Sequence, residues 1–454
     1  MKKDELLKSK VFSLGLLFIT RTLLTLISGL VVPLFLIKDL GLAAYGEFIF
    51  LSTLGVILIV LSEMGVNTVY IREALHLTPK QAKEYLWKAV VLRVVTFLPF
   101  ALTSVIIAYL YTSLHNDREL LHNLLWVIAS TFFLTLQNQI YLTNLSMSRN
   151  YQQMISEFVG RVIWIVGALY ASKNYGVTGL LAVVTLASLL QVTLGSIGLV
   201  KFSSEKTIPY KKIWRSSRNF GVNSILIGLL NRVDIIVIGI FFGPALTGAY
   251  GYGSRIRDFF IELTGTVSSS YFKKFKTENK KAIYQIQKNL TYLAAVLGTL
   301  GMPFAIVVGW ILKEEQNKAE IVLALIIFSI MSIIMVINQN IMWLLTARNL
   351  VKELNQAILY NMVTKAILIT LSGFTLGFKG LLFAIFANEI LYLMSLTQVL
   401  REKHNYDYLI SYLPLTVSAG IILLANQVNI FFMLLITLVI LVIFYSQKNK
   451  IINK

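Results

Sequence analysis

Long apolar runs constrain this chain more than any other feature. Val11–Ile37, Phe48–Ser62, Ile321–Ile337 and Phe431–Tyr445 are nearly free of charge. A helix needs roughly 20 apolar residues to cross a hydrocarbon core about 30 Å thick. Inside that core each backbone N–H and C=O must bond within its own segment, so such runs fold as spanning helices. The rest of the composition agrees. Of 454 residues, 56% are hydrophobic and 14% charged, with mean hydropathy +0.73. A soluble domain carries about 25% charged residues, because its surface faces water.

Apolar stretches between polar breaks predict helices over 11–37, 45–66, 87–111, 123–144, 158–172 and 177–200. After a basic stretch the pattern resumes at 219–242, 247–271, 290–312, 320–345, 356–377 and 380–400. Two more runs follow at 409–426 and 430–446. The expected fold is an all-α polytopic membrane bundle of about fourteen transmembrane helices.

The formal net charge of +19 could suggest a nucleic-acid partner, but its distribution excludes that reading. Basic residues gather in alternate loops. One set, with both chain ends, holds about 28 of them, including Lys211, Lys212, Arg215, Arg218 and Lys273, Lys274, Lys276, Lys280, Lys281. The opposite set holds about six: Lys38, Arg118, Lys173, Lys313, Lys318 and Lys379. Loops rich in Lys and Arg stay in the cytoplasm, so both termini are expected there, in a bacterial or archaeal plasma membrane. Lys2, Lys3, Lys8 and Lys10 ahead of an apolar run resemble a signal peptide. The run exceeds a signal core and has no small-residue cleavage site, so it is expected to remain as the first span. Cysteine is absent, which removes disulfides, thiolate metal sites and cysteine nucleophiles.

Short motifs recur about 200 residues apart, in the same order. Gly41-Leu42-Ala43-Ala44-Tyr45-Gly46-Glu47-Phe48 matches Gly243-Pro244-Ala245-Leu246-Thr247-Gly248-Ala249-Tyr250 as Gly-x4-Gly-x-aromatic. Asn138-Gln139 and Arg149-Asn150 match Asn338-Gln339 and Arg348-Asn349, and Gly179-Leu180-Leu181 matches Gly380-Leu381-Leu382. The chain therefore reads as two six-helix lobes, 1–200 and 219–400, joined by a basic cytoplasmic linker at 201–218. Two further helices and a tail occupy 401–454. Parallel repeats are a transporter plan with a substrate site near the midplane.

Charges inside spans are costly, roughly 2.5–3.5 kcal/mol each at a helix centre, and so are candidates for function. The basic ones are Arg21, Arg93, Arg161, Arg232, Arg255, Arg257 and Lys365. Arg93 and Arg161 lie close enough to a boundary to snorkel; Arg21, Arg232 and Lys365 are too deep and must face a polar cavity or an acid. The acids are Glu63, Asp234, Asp258, Glu262 and Glu389, of which Glu63 is near an interface. Arg255, Asp258 and Glu262 share one helical face, so Arg255 is expected to neutralise Asp258 in part. The first half is net cationic within its spans, and fixed guanidinium groups suit a phosphate-bearing substrate. Asp234, Asp258, Glu262 and Glu389 suit a coupling Na+ or H+, with interhelical ion pairing as the competing role.

An enzyme is not expected. His76, His115, His122 and His404 lack metal-ligand spacing, and no phosphate loop, dinucleotide fingerprint or nucleophile elbow occurs. The loops are too short to hold a catalytic domain, and no cofactor is implied.

Arg21-Thr22-Leu23-Leu24-Thr25-Leu26, Val31-Val32-Pro33-Leu34, Leu40-Gly41, Tyr45-Gly46, Leu61-Ser62-Glu63-Met64-Gly65 and Arg72-Glu73 form an informative combination. With Asn231-Arg232-Val233-Asp234, Gly239, Gly243, Gly248 and Tyr250, it resembles the polysaccharide-transport flippases of the multidrug/oligosaccharidyl-lipid/polysaccharide exporter superfamily. That resemblance implies a two-lobed bundle that carries an undecaprenyl-pyrophosphate-linked glycan from the inner to the outer leaflet. It also implies contact with membrane lipids and with polysaccharide polymerase machinery. Arg21 is the residue best placed for the pyrophosphate. Fourteen spans also resemble lipid II flippases, whose last two helices form a groove for the lipid tail. The chain departs from that branch in lacking an Arg-x-x-Gly-x-x-Arg-Asp continuation after Arg21, and it lacks multidrug-extrusion signatures. The expected activity is therefore oligosaccharide-lipid flipping. Lipid II flipping, ion-coupled drug or metabolite antiport, and a non-transporting scaffold are the alternatives.

Overall fold

The computed structural model describes residues 23–404, apart from 68, 71–78, 116–117, 148, 200–208, 271–274, 276–279, 313–316 and 349. Arg21, the basic group Lys273, Lys274 and Lys276, and the expected helices at 409–426 and 430–446 lie outside the described residues.

Every regular element among the described residues is helical. In chain order they are α1 (Leu23–Leu40), α2 (Leu42–Glu63), α3 (Pro79–His115), α4 (Arg118–Ser146), α5 (Asn150–Asn174) and α6 (Gly176–Ser196). They continue with α7 (Tyr210–Leu230), α8 (Val233–Phe242), α9 (Pro244–Ser270), α10 (Lys280–Ile311), α11 (Lys318–Ala347) and α12 (Val351–His404). Nine helices among the described residues are long and apolar enough to span a membrane, or ten when α7 and α8 are taken as one span bent by 46°. The chain is a multi-pass helical membrane protein. Its helices overlap the spans expected between 23 and 404, with several differences: α3, α7 and α10 begin earlier than expected, α9 is not among the helices apolar enough to span, and the expected helices 356–377 and 380–400 run together as α12. The fifth begins earlier, at Asn150, and the seventh is broken between Leu230 and Val233.

Glycine sets several of the helix boundaries. Gly41 (φ 79°) separates α1 from α2, and Gly243 (φ 83°) separates α8 from α9. Both adopt a region closed to most side chains, which is why a glycine opens each copy of the repeated motif. Gly176 (φ 61°) stands between α5 and α6, and Gly377 (φ 62°) breaks α12 in two. Each lies three residues ahead of a repeated Gly-Leu-Leu, so the repeat is present in backbone conformation as well as in sequence.

The described residues form two compact units. One runs to Gly239 and includes Gly243–Gly248; the other holds Ile240–Phe242 and the chain from Ala249 onward. In the first unit α2 packs on α3 and α4, α4 on α6, α6 on α5, and α1 on α5 and α2. Short polar side chains tie these apolar helices together. Asn123 on α4 donates to Glu47 on α2 (3.3 Å) and accepts from Thr178 on α6 (2.6 Å). At the far end of α4, Asn144 donates to the Gly195 carbonyl (2.9 Å) and to Gln153 (3.3 Å). Such bonds replace the hydrophobic drive that lipid removes, since lipid tails are as apolar as leucine.

Carbonyls at and just beyond the C-terminal end of α6 are bonded by side chains from its neighbours. Gln152 donates to the Leu194 carbonyl (2.5 Å), Arg149 to that of Ile197 (2.5 Å) and Lys83 to that of Gly198 (3.0 Å). Two cations therefore meet the negative end of a helix dipole. In the second unit α10 packs on α11 and α11 on α12. Arg257 of α9 stands over the Phe328 ring of α11, 5.5 Å from its centroid.

Candidate functional site

In the first unit, Glu63 closes the end of α2 and Arg93 lies in the first half of α3. The sequence allows Arg93 to snorkel, but it is fully buried: its Nη1 donates to the Thr135 carbonyl at 2.7 Å. Its Nη2 lies 3.7 Å from a Glu63 carboxylate oxygen. Glu63 is accordingly a partner for a buried cation rather than an interfacial residue. Arg93 Nε, Thr135 Oγ1 and both side-chain polar atoms of Gln139 are buried without a hydrogen-bond partner among the described residues. Thr135 and Gln139 are four residues apart on α4, so α2, α3 and α4 enclose a polar layer within apolar helices.

Arg161 of α5 reaches α1. Its Nη1 donates to Ser28 Oγ at 3.2 Å. Ser28 sits in a π-helical turn, Ile27–Val31, a local widening frequent at functional sites. Arg232 and Asp234 flank the break between α7 and α8. Arg232 is half-buried at the residue preceding α8, while Asp234 is fully buried in its first turn and accepts from the Ile235 amide at 2.9 Å. An acid there is favoured by the positive end of the helix dipole.

In the second unit the carboxylate of Asp258 meets the neighbouring Arg257, with Nε donating at 2.9 Å. This differs from the expected pairing with Arg255, three residues back. Arg257 is almost wholly buried, so its charge is the one in greater need of a partner. Arg255 is half-buried and Glu262 is exposed on the α9 surface.

Lys365 and Glu389 come together. Lys365, in the first half of α12, is 1% exposed, and its Nζ lies 3.8 Å from Glu389 on the second half. Asn338 of α11 donates from Nδ2 to the Glu389 carboxylate (3.1 Å) and to its backbone carbonyl (3.2 Å). Asn388 donates to Asn361 Oδ1 (2.5 Å) and accepts from Thr364 (2.9 Å). Asn338, Asn361, Asn388 and Tyr392 are all buried.

Sequence reasoning singled out the charges and missed this amide framework. Asn338 figured only as a repeat marker. A signal did exist in Asn361, Thr364 and Lys365 at i, i+3, i+4, and in Asn388, Glu389 and Tyr392, which place polar groups on single faces of apolar helices. Among the described residues no group of three His, Cys, Asp or Glu could hold a metal ion.

The helical arrangement, the repeated glycine breaks and the buried charge pairs belong to a fold that solved transporters of the multidrug/oligosaccharidyl-lipid/polysaccharide exporter type also have. Solved structures of that type share the fold. The lipid II flippase MurJ in an inward closed conformation aligns with TM-score 0.74 at 15% identity, covering 97% of this chain and 100% of that one. An inward-facing multidrug resistance MATE family transporter aligns with TM-score 0.65 at 14% identity, over 85% of this chain and 96% of its own. An outward-facing one gives 0.60 at 15% identity, over 84% and 94%. No curated protein matches by sequence. The family model of polysaccharide biosynthesis proteins matches residues 11–271, more than half of the chain, and the chain belongs to that family.

Proposed function

We propose that the protein flips a prenyl-pyrophosphate-linked oligosaccharide from the cytoplasmic to the outer leaflet by alternating access, for cell-surface polysaccharide synthesis. The observation that carries this reading is the polysaccharide biosynthesis family match over residues 11–271. It is supported by buried cationic side chains on a fold shared with a lipid-linked substrate flippase. Arg161 and Arg232 are the described residues we assign to the anionic headgroup, together with Arg21. Guanidinium groups bind phosphate in a fixed forked geometry that an ammonium does not reproduce. Arg255 and Arg257 are secondary candidates, since Arg257 is engaged by Asp258.

Coupling to Na+ or H+ we assign to Asp234, Asp258 and Glu262. Two helices beyond 400 serve the prenyl tail in this reading, both termini are cytoplasmic, and the polysaccharide polymerase machinery receives the product.

The test is binding and transport by purified full-length protein. Prenyl-pyrophosphate oligosaccharides should raise its unfolding temperature more than lipid II or amphipathic cations, and Arg161→Ala with Arg232→Ala should abolish the difference. In proteoliposomes the same lipid should move between leaflets. A second reading, lipid II flipping, is favoured by the fold match to MurJ over 97% of this chain and all of that one. It wins if lipid II alone stabilises and is moved.

A further inference from the structure

The first turns of α7 differ from the apolar helix they lead into. No acidic residue stands between Glu205 and Asp234, whereas Lys206, Lys211, Lys212, Arg215 and Arg218 are basic. One face of this segment is anchored within its own unit. Ile213 is buried among Val66, Val69, Tyr70, Tyr85 and Ala89, Ser217 one turn on is fully buried, and the Lys88 ammonium of α3 lies 5.5 Å from the Tyr210 ring centre. Lys211, Trp214 and Arg215 share the other face, at i, i+3 and i+4, and all three are exposed. Neither Lys211 nor Arg215 makes a hydrogen bond or ion pair to a described residue. The apolar part of the bent span formed by α7 and α8 begins at Gly221. Arg215 precedes it by about 9 Å of helix, and the headgroup layer is about 5–8 Å thick on each face of a bilayer. A long side chain covers the difference, so the stripe stands at headgroup level. Trp214, 37% exposed beside two cations, suits that depth, where an indole keeps its ring in an apolar layer and its N–H in a wet one.

We infer that Lys211, Trp214 and Arg215 form a site for the headgroups of anionic phospholipids. The two cations take the lipid phosphate, and the Trp214 ring lies among the glycerol esters. Every span touches acyl chains, but that contact does not distinguish headgroups. This face does, because a zwitterionic lipid brings its own ammonium and an acidic lipid does not. Each basic residue at an anionic surface strengthens the attraction about fivefold. The depth of the stripe favours lipid over an acidic protein, which would dock beyond the headgroups. Bound there, the lipid fixes the foot of α7 from the side opposite α3.

The experiment is quenching of Trp214 fluorescence in nanodiscs that hold the purified full-length protein, and it needs no transported substrate. Phosphatidylglycerol or phosphatidylcholine, brominated on its acyl chains, is added at one mole fraction to a phosphatidylcholine bilayer. The Trp214 signal is the difference between the wild type and Trp214→Phe. Brominated phosphatidylglycerol should quench that signal at least about twofold more than brominated phosphatidylcholine, and added salt should narrow the gap. With Lys211→Gln and Arg215→Gln together, the two lipids should quench equally. The charge-preserving pair Lys211→Arg and Arg215→Lys should keep the preference. Equal quenching by the two lipids in the wild type would overturn the inference, whatever the variants do. So would a preference that survives the loss of both charges. Quenching of Trp214 by neither lipid would put the stripe in water and refute a lipid occupant outright.

Discussion

At the scale of single residues, the buried charges differ in how they respond to losing their partners. Arg93 is wholly buried and cannot shed its proton, whereas Glu63 is partly exposed and can be neutralised by one. Glu63→Gln should therefore destabilise more than Arg93→Met, by about 3 kcal/mol against half of that, with the double variant recovering part of the loss. Denaturant unfolding of the three proteins in one detergent checks the order, and equal losses from both single changes would refute it. Asn338→Leu is a sharper probe of the second unit. It removes two hydrogen bonds to Glu389, and about 2–3 kcal/mol of stability should go with them because the carboxylate acceptor is charged. The companion Asn338→Asp puts a second carboxylate beside the first and should be worse, most visibly at neutral pH.

At the scale of elements, glycine positions the helices. A side chain at Gly46 would strike the carbonyl of Pro244 and come within 2.7 Å of the Gly248 amide nitrogen. A Cβ at Gly248 would in turn meet the Leu42 carbonyl and lie 3.2 Å from the Gly46 nitrogen. The two second glycines of the repeated motif thus face each other, backbone against backbone, as small residues do where membrane helices approach closely. Gly46→Ala and Gly248→Ala should each cost about 1–3 kcal/mol, since the obstacle is main chain and cannot rotate away. Gly377→Ala is different in kind. Nothing lies within 4 Å of a Cβ there, so its cost is conformational strain alone, about 1–2 kcal/mol from the left-handed φ. Melting temperatures of the three variants measure this, and an unchanged Gly46→Ala protein would deny the close approach.

At the scale of the whole molecule, the absence of cysteine makes topology directly measurable. A cysteine replacing Asp117 and one replacing Thr207 fall in loops of opposite basic content. They should label with an impermeant maleimide from opposite sides of intact cells, Asp117→Cys from outside and Thr207→Cys only after lysis. Labelling of both from one side would cancel the fourteen-span count. Arg161→Ala is expected to lower lipid translocation in proteoliposomes at least tenfold while leaving the unfolding temperature within a few degrees. Its hydrogen bond to Ser28 on α1 is a neutral-acceptor contact of the kind worth about 1 kcal/mol.

The sequence by itself determined that the chain crosses a membrane repeatedly, roughly where its helices lie, and that short glycine-bearing motifs recur along it. Those properties are local. In hydrocarbon a helix must satisfy its own backbone, so twenty consecutive apolar residues suffice to specify it, and a glycine at φ 79° or 61° is needed wherever the chain turns through that region. The tertiary structure alone decided which charges meet. From sequence, Arg93 could snorkel and Asp258 could take Arg255; packing instead put Arg93 against Glu63 and the Thr135 carbonyl, and Asp258 on Arg257. Lys365 was legible as a buried cation, but its acid is twenty-four residues away across Gly377, and the asparagine that holds that acid is on another helix. Partners of this kind depend on how helices rotate about their axes and how closely they approach. In lipid that is decided by small residues and a few interhelical hydrogen bonds, which hydropathy does not register.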